Sequence, residues 1–397
     1  MINGSVAMNS GFYLILAAQF VSALADNALL FAAIALLQEM SAPSWHTPLL
    51  QEFFIISYII LAPFVGSFAD ALPKGRVMFI SNAIKFVGSM AMLLGMQPLY
   101  AYGIVGIGAA AYSPAKYGIL TEYLPPHMLV KANGWMEGST VMAIILGAIL
   151  GGKLASIDPH LCMMLIIGLY MVAAGFNFYI PKVPIDHKLP KKNPLYMLSD
   201  FWHSFKVLWN DPMGQVSLAV TTLFWGAGAT LRLVVLAWAA YALNFGLDHS
   251  TQLTATVAVG IAVGSVLAAR YVKLEDSIKV LPAGIVMGLL VMGMVLVHSW
   301  QIASVLLFLI GVLSGYFVVP LNALLQHRGH ILIGAGHSIA VQNFNENLGI
   351  LLLIGAYTLM VKADLPVNLI VLTFGLFVSL SMSVIYRLYC TQKAPNQ

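Results

Sequence analysis

Apolar stretches long enough to cross a membrane recur along the whole 397-residue chain, and few charges interrupt them. Hydrophobic residues make up 60% of the sequence and charged residues 9%, and the mean hydropathy is +0.88. A soluble domain carries about 25% charged residues, so this chain cannot cover a water-facing surface. An outer-membrane barrel would instead use alternating segments of about 10 residues. The pattern therefore predicts an all-α membrane protein.

Twelve transmembrane helices are predicted, because a helix needs about 20 apolar residues to cross the hydrocarbon core. Turn and breaker residues separate them, including Pro73, Gly75, Pro98 and Pro159. The 34 glycines fit such helices, which use glycine for close packing. The predicted spans are 11–38, 48–70, 76–96, 99–121, 130–156, 159–181, 213–243, 251–271, 278–298, 301–326, 333–361 and 366–389.

The positive charges predict the orientation. With both termini in the cytoplasm, fourteen of the Lys and Arg residues fall on the cytoplasmic side and two on the other, a strong positive-inside bias. The two are Lys153 and Lys362. The fourteen are Lys74, Arg76, Lys131, Lys182, Lys188, Lys191, Lys192, Lys206, Arg270, Lys273, Lys279, Arg328, Arg387 and Lys393.

The longest connection divides the chain into six spans and six spans. We expect an N-terminal six-helix bundle over 1–181, a cytoplasmic linker over 182–212 and a C-terminal six-helix bundle over 213–397. Within the linker, apolar residues recur at helical spacing from Leu198 to Trp209, with polar residues between them. This spacing predicts an amphipathic helix on the membrane surface.

The two halves share an order of features. Pro114 in span 4 and Pro320 in span 10 each precede a similar polar-containing segment. An amide and an acid then follow at i, i+4 spacing, which places each pair on one helix face. These pairs are Asn133 with Glu137 and Gln342 with Glu346. The order supports parallel six-helix repeats around a central cavity, the plan of the major facilitator fold, with a site where the repeats meet.

Charges inside membrane spans are the candidate functional residues, since each costs on the order of 3 kcal/mol at mid-helix. In a major facilitator arrangement, spans 1, 4, 7 and 10 line the cavity and carry Asp26, Lys116, Arg232 and Asn322. Glu137 and Glu346 lie in spans 5 and 11, and Lys85 and Glu52 in spans 3 and 2. Such a set suits a zwitterion or an anion. The alternative is a static network of ion pairs that only holds the helices together.

The loop after span 2 is a candidate gate. Gly66 permits close helix contact, Asp70 can pair with a cation, and Lys74 and Arg76 mark the cytoplasmic side. The segment resembles the gating motif of major facilitator proteins, with extra residues between the acid and the Gly-Arg pair. The alternative is a plain basic loop.

Enzyme chemistry has little support in the sequence. The segment 147–154 nearly matches a phosphate-binding loop, but Leu154 stands where Mg²⁺ needs a hydroxyl. No His/Cys group has zinc spacing, and the His/Asp pair of acyltransferases is missing. We therefore expect no enzyme activity, no cofactor, no metal and no nucleic-acid partner.

Six segments together resemble the bacterial lysophospholipid transporter family, and they occur in the same order along nearly the whole chain. They are Ala23–Phe31, Gly108–Leu120, Val130–Thr140, Leu223–Arg232, Val318–Gln326 and Ala340–Asn347. The resemblance implies a multi-pass protein of the bacterial inner membrane that moves lysophosphatidylethanolamine and lysophosphatidylglycerol from the outer to the inner leaflet by facilitated diffusion. It also implies a partner, an acyltransferase/acyl-carrier-protein synthetase that re-acylates the lipid.

The resemblance and the charges together suggest roles for the site residues. Arg232 and Lys116 would attract the phosphate, and Asp26 and Glu346 would oppose them or meet an ammonium group. Asn27, Asn322 and Asn343 would supply hydrogen bonds, and aromatic residues would line the path of the acyl chain: Phe31, Phe224, Trp225, Phe317 or Phe344.

Two other functions stay open at this point. The first is a proton-coupled major facilitator exporter of small amphiphiles or drugs, in which Asp26 or Glu346 carries the proton. The second is a membrane-bound lipid acyltransferase, for which the expected His/Asp pair is missing.

Overall fold

The structure, a computed structural model, is a bundle of long helices. It describes residues 9–42, 46–184, 193–245 and 247–393. Lys188, Lys191 and Lys192 of the predicted basic linker lie outside these ranges. Within the described residues there are thirteen α-helices and no strand. The all-α prediction is therefore confirmed.

The N-terminal half consists of α1 to α6: Ser10–Glu39, His46–Ala71, Lys74–Leu93, Pro98–Tyr123, Leu129–Ile157 and Pro159–Phe178. A shorter helix, α7 (Pro194–Asn210), follows in the connection between the halves. The C-terminal half consists of α8 to α13: Pro212–Leu243, Leu247–Tyr271, Leu281–Gly293, Trp300–Ile333, Ala335–Lys362 and Val367–Lys393. Short 3₁₀ segments, Leu274–Val280 and Met294–Leu296, flank α10.

Three helices begin with the same chemical device, an Asx cap followed by proline. Asp158, Asn193 and Asp211 accept hydrogen bonds from backbone N–H groups at the starts of α6, α7 and α8. Proline occupies the first helical position after each cap, where its missing N–H costs nothing. The local sequence thus sets where both the linker helix and the C-terminal half begin.

Eleven segments of the described chain are long and apolar enough to cross a membrane. The fourth predicted span, α4, is also long enough but is not among them, because glycine, tyrosine and Lys116 lower its hydropathy. Helix α4 packs between α2 and α3 and also contacts α12. Two of its polar side chains, Tyr112 and Lys116, are therefore buried in the protein interior.

Some predicted boundaries shift. Helix α11 continues to Ile333 rather than ending near residue 326, so Arg328 lies in its last turns. The ninth predicted span contains a shorter α-helix, α10, extended by 3₁₀ turns at both ends. Hydropathy alone does not locate the end of α11, since the helix continues through the polar residues His327 and Arg328.

Glycines bring α9 and α11 into direct backbone contact. A Cβ added at Gly311 would lie 2.9 Å from the Cα of Gly260, and one added at Gly264 would overlap the carbonyl oxygen of Val312. Gly260 and Gly264 are four residues apart, as are Gly311 and Gly315. This spacing of small residues lets membrane helices approach closely. The pair fixes the core of the C-terminal half.

The halves meet where α2 contacts α12 and where α5 contacts α9. We call the end of the bundle that carries Lys74, Lys131, Lys273 and Arg328 the basic end. Gly66 and Gly134 lie in the parts of α2 and α5 near this end, and a Cβ at either would press on the C-terminal half. The two halves are therefore in close contact at the basic end.

The glycine contact predicts a stability effect. Gly264→Ala should lower stability by about 1–3 kcal/mol, because the added methyl group overpacks a backbone contact. The matched control is Gly168→Ala in α6, where an added Cβ has no neighbour within 4 Å. Thermal unfolding of the two purified variants in detergent measures the difference. Equal midpoints would show that the α9–α11 contact can relax without loss.

Candidate functional site

A cavity of about 320 Å³ lies between the two halves. Helices α1 to α5 contribute one side of its wall and α8, α11 and α12 the other. Its polar and aromatic lining residues are Gln19, Asp26, Phe54, Tyr58, Lys85, Tyr112, Ser113, Lys116, Tyr117, Glu137, Thr140, Trp225, Asn322, Gln342, Asn343, Glu346 and Asn347. Six of the eight predicted substrate-binding residues are in this set: Asp26, Lys116, Glu137, Asn322, Asn343 and Glu346.

Asp26 lines the cavity but is already neutralised. Its Oδ2 lies 2.7 Å from Nζ of Lys85, and its Oδ1 accepts a hydrogen bond of 2.7 Å from the Tyr170 hydroxyl. Lys85 also donates to Ser22 at 3.0 Å and lies over the ring of Tyr112. Only 1% of the Lys85 side chain is exposed. The partner of Asp26 is therefore Lys85, a lysine from α3.

Lys116 is the cavity's uncompensated cation. Its Nζ is 3.5 Å from the Thr140 hydroxyl and lies over the ring of Tyr117, 4.6 Å from the centroid. Across the described residues, no carboxylate is within salt-bridge distance of it. The side chain is 9% exposed, so water screens it poorly. It is available to an anion that enters the cavity.

Two carboxylates in the same cavity have neutral partners. Glu137 accepts hydrogen bonds from the Tyr117 hydroxyl at 3.1 Å and from Nδ2 of Asn322 at 3.3 Å. Glu346 accepts one of 2.7 Å from Nε2 of Gln342, which also donates to Asn322. Asn322 thus connects the carboxylates across the two halves. The cavity holds separate sites of each sign, which suits a zwitterion.

The three predicted asparagines differ in placement. Asn322 belongs to the chain of hydrogen bonds just described, and Asn343 lines the cavity while donating to Ser113 at 2.9 Å. Asn27 is outside the cavity lining, contrary to expectation. Its amide bonds to the Ala23 carbonyl of its own helix, and its Cβ faces Gly147 of α5. One step along a helix turns a side chain by about 100°, which separates Asn27 from Asp26.

Arg232 is also outside the cavity lining, and this corrects the expectation that it shares the space with Asp26. It is exposed on α8, seven residues beyond Trp225, which does line the cavity. That spacing returns to the same helix face about 10 Å farther along the axis. Gly228, between them, has open space where a Cβ would point. Arg232 therefore lies on the same face but farther from the basic end.

Of the five aromatic residues predicted to line the path of the acyl chain, one, Trp225, lines the cavity. Trp225 lines the cavity together with Phe54, Ile55 and Ile350. Phe317 is buried, Phe344 packs against Phe201 and Phe205 of α7, and Phe31 lines a separate groove. Phe224 contacts Trp225 and Phe317 edge to face. Aromatic residues in these spans mostly serve packing.

The end of α2 and the start of α3 form a closure at the basic end. Asp70 accepts hydrogen bonds from the backbone N–H groups of Gly336 and His337 at 2.8 and 3.1 Å, at the start of α12. Its Oδ2 is also 2.6 Å from Nδ1 of His337. Lys74 pairs with Asp70 at 2.8 Å and with Glu122 at 3.1 Å. A carboxylate at a helix N-terminus is favoured by the helix dipole.

The other two predicted gate residues differ. A Cβ at Gly66 would lie 3.0 Å from the Cα of His337, so glycine there permits the contact between the halves. Arg76 is exposed and takes no part in the network described above. Glu122 and His337 were missed, because neither lies near the loop in sequence.

A buried pair of amide side chains also joins the two halves, between the cavity and the basic end. Asn133 and Gln326 exchange two hydrogen bonds of 2.9 and 2.8 Å. The i, i+4 pattern flagged Asn133, but its partner in α11 was not predictable, because the pairing depends on how the halves dock.

Comparison with known proteins decides the family. Residues 15–354 match the profile of the Major Facilitator Superfamily. The lysophospholipid transporter LplT of Yersinia enterocolitica is 47% identical over 364 residues, 91% of this chain and 89% of that protein. The LplT of Yersinia pestis is 47% identical over 357 residues. This chain belongs to the lysophospholipid transporter family.

Solved structures of other transporters share the fold of this chain. The outward conformation of the transporter FucP matches with a TM-score of 0.75 at 14% identity, over 95% of this chain and 98% of FucP. A bacterial homologue of the iron transporter ferroportin, in an outward-facing state, matches with a TM-score of 0.76 at 15% identity, over 96% of this chain and all of that chain. At such identities the likeness concerns the fold. The predicted major facilitator fold is confirmed.

The Asp26–Lys85 pair predicts a coupled stability effect. Asp26→Ala should destabilise the protein by about 3–5 kcal/mol, since it leaves Lys85 buried without its anion. The double variant Asp26→Ala, Lys85→Met should recover most of this loss, because it removes both charges. Thermal unfolding of the single and double variants measures the coupling. Equal loss in both would mean that the two charges do not depend on each other.

Proposed function

We propose that this protein carries lysophospholipids from the outer to the inner leaflet of the bacterial inner membrane, with the head group in the cavity between the halves. The observation that carries the proposal is the unpaired Lys116, with Glu137 and Glu346 held only by neutral groups in the same cavity. Membership of the lysophospholipid transporter family supports the substrate class.

The head group fits this charge pattern. The phosphate would bind Lys116, whose Nζ now donates to the Thr140 hydroxyl. The ammonium of lysophosphatidylethanolamine would bind Glu346 or Glu137. Lysophosphatidylglycerol has hydroxyls instead, which Asn343 and Gln342 can meet as hydrogen-bond partners. A lysolipid of either kind therefore finds a partner for each polar part.

Asp26, Asn27 and Arg232 take indirect roles in this proposal. Asp26 holds the charge of Lys85 at the cavity wall, and Asn27 packs between α1 and α5. Arg232 is the first cation that a phosphate meets on the face of α8 that continues into the cavity. Arginine suits that step, because its guanidinium binds phosphate in a bidentate manner.

The acyl chain would lie against the apolar part of the cavity wall. Phe54 and Ile55 of α2 and Ile350 of α12 form this part together with Trp225. The tail would therefore point toward the contact between α2 and α12.

Transport requires the closure at the basic end to open. We assign the basic end to the cytoplasm, with both chain termini on that side, from the excess of Lys and Arg there. Asp70, Lys74 and Gly66 then form the gate that separates the cavity from the inner leaflet, and Arg76 adds to the positive charge that marks the cytoplasmic side. Movement is by facilitated diffusion.

The product would pass to an acyltransferase/acyl-carrier-protein synthetase, which restores the second acyl chain. This partner follows from the family resemblance and from the chemistry of the product, a lipid whose glycerol backbone has one hydroxyl free for acylation. The bundle itself acts as a transporter and not as an enzyme.

The second candidate function is proton-coupled export of small amphiphiles. Glu137 and Glu346 favour it, because a buried carboxylate with only neutral partners can take up a proton. Uptake of labelled lysolipid in spheroplasts with the proton gradient collapsed separates the two. Sustained uptake supports facilitated diffusion, and its loss supports coupling.

The charge assignment predicts a selective defect. Lys116→Gln should lower uptake of both lysolipids about tenfold or more, since a hydrogen bond to a charged group contributes about 1.5–3 kcal/mol. Glu346→Gln should lower uptake of lysophosphatidylethanolamine and spare lysophosphatidylglycerol, which has no ammonium. Uptake of each radiolabelled lipid by spheroplasts that express equal amounts of protein measures both.

The control for this test is Lys279→Gln, a lysine paired with Asp276 on the exposed surface. It should transport both lipids normally. Wild-type uptake by Lys116→Gln would exclude Lys116 as the phosphate site. Equal loss of both lipids in Glu346→Gln would exclude an ammonium contact there.

A further inference from the structure

His337 lies between carboxylates from two different helices. Its Nδ1 is 2.6 Å from Oδ2 of Asp70 on α2, and its Nε2 is 2.9 Å from Oδ2 of Asp200 on α7. An ionised carboxylate only accepts hydrogen bonds, so each ring nitrogen must donate one. The ring therefore carries a positive charge in this arrangement.

Helix α7 is placed to act on both halves. It contacts α2 of the N-terminal half and α8, α11 and α12 of the C-terminal half. Its buried face carries Phe201, Ser204 and Leu208, and the Phe201 ring packs against Phe344 of α12 at 5.6 Å. Leu198 and Trp202 are about half exposed on the other side. The helix thus lies along the contact between α2 and α12.

The charges around His337 alternate in sign. Lys74 is the cation shared by Asp70 and Glu122, and His337 is the cation shared by Asp70 and Asp200. The Ser67 hydroxyl is 3.4 Å from Nε2 of the same ring. Asp200 lies at one end of this series and is its only member on α7. It sets the orientation of the ring, because Nε2 must face it for Nδ1 to face Asp70.

We propose that Asp200 is a positioning residue of the transport cycle. It holds the His337 ring against Asp70, and α7 thereby stabilises the closed basic end. The connection between the halves, which contains α7, then takes part in closing the gate. When α2 and α12 separate at this end, the Asp70–His337 contact breaks while α7 stays with α12 through Asp200 and Phe201.

A disulfide across the closed end can report this state. A Cβ at Gly118 would lie 3.2 Å from the Cβ of Ala335, close to the mean Cβ separation of about 3.8 Å in disulfides. Gly118→Cys and Ala335→Cys are introduced together after Cys162→Ala and Cys390→Ala remove the native cysteines. The full-length protein in native membranes is then oxidised, and the rate of cross-linking is measured.

Asp200→Ala should slow cross-linking by up to about tenfold, because losing one charge-assisted hydrogen bond changes the equilibrium between the closed and open states by about that factor. Asp200→Glu keeps the carboxylate and should retain most of the rate. Asp276→Asn is the matched control: it removes an exposed acid from an ion pair with Lys279, away from α7. Its rate should equal that of the parent protein.

A second reporter separates a shift of state from unfolding. Gly228→Cys, on the open face of α8, is labelled with a membrane-impermeant maleimide. A shift away from the closed basic end should lower this labelling in Asp200→Ala, whereas unfolding would raise it.

Three results would overturn the proposal. The first is an unchanged cross-linking rate in Asp200→Ala while His337→Ala slows it, which would mean that His337 acts without α7. The second is an equal loss in Asp200→Glu and Asp200→Ala. The third is increased labelling at Gly228→Cys, which would mean that Asp200 supports folding only.

Discussion

The energetic cost of charge inside a membrane governs the arrangement of this protein. A charged group at mid-span costs about 3 kcal/mol or more, so each one needs a partner or a polar cavity. Asp26 and Lys85 meet this condition by pairing at 2.7 Å. Lys116, Glu137 and Glu346 meet it differently, by facing the shared cavity and bonding to neutral hydroxyl and amide groups. These three remain available to a ligand, and a lysolipid head group has the complementary charges.

Closure at one end follows from short-range contacts between the halves. Gly66 and Gly134 allow the backbones to approach, and Asp70 caps the start of α12 across the interface. The Asn133–Gln326 pair adds two buried hydrogen bonds between the cavity and the basic end. Each of these contacts must be broken for the cavity to open at the basic end. When these hydrogen bonds break, water enters and solvates their donors and acceptors. The free-energy cost of opening therefore stays moderate.

Much of the fold and part of the site could be predicted from the sequence. Span positions follow from hydropathy, and helix starts such as Asp158-Pro159 and Asp211-Pro212 follow from local capping. Asp26, Lys116 and Glu346 were identified because charge is rare inside spans. Arg232 and Asn27 were placed wrongly, since depth and rotation depend on how each helix docks. His337 and Asp200 could not be paired in advance, because they meet only after α7 folds against α12.

A structure with bound lysophosphatidylethanolamine tests the central claim most directly, by locating the phosphate. The charge arrangement predicts a phosphate oxygen within hydrogen-bond distance of Nζ of Lys116, with the ammonium against Glu137 or Glu346. A phosphate bound elsewhere, with Lys116 still on Thr140 and no lipid atoms in the cavity, would contradict it.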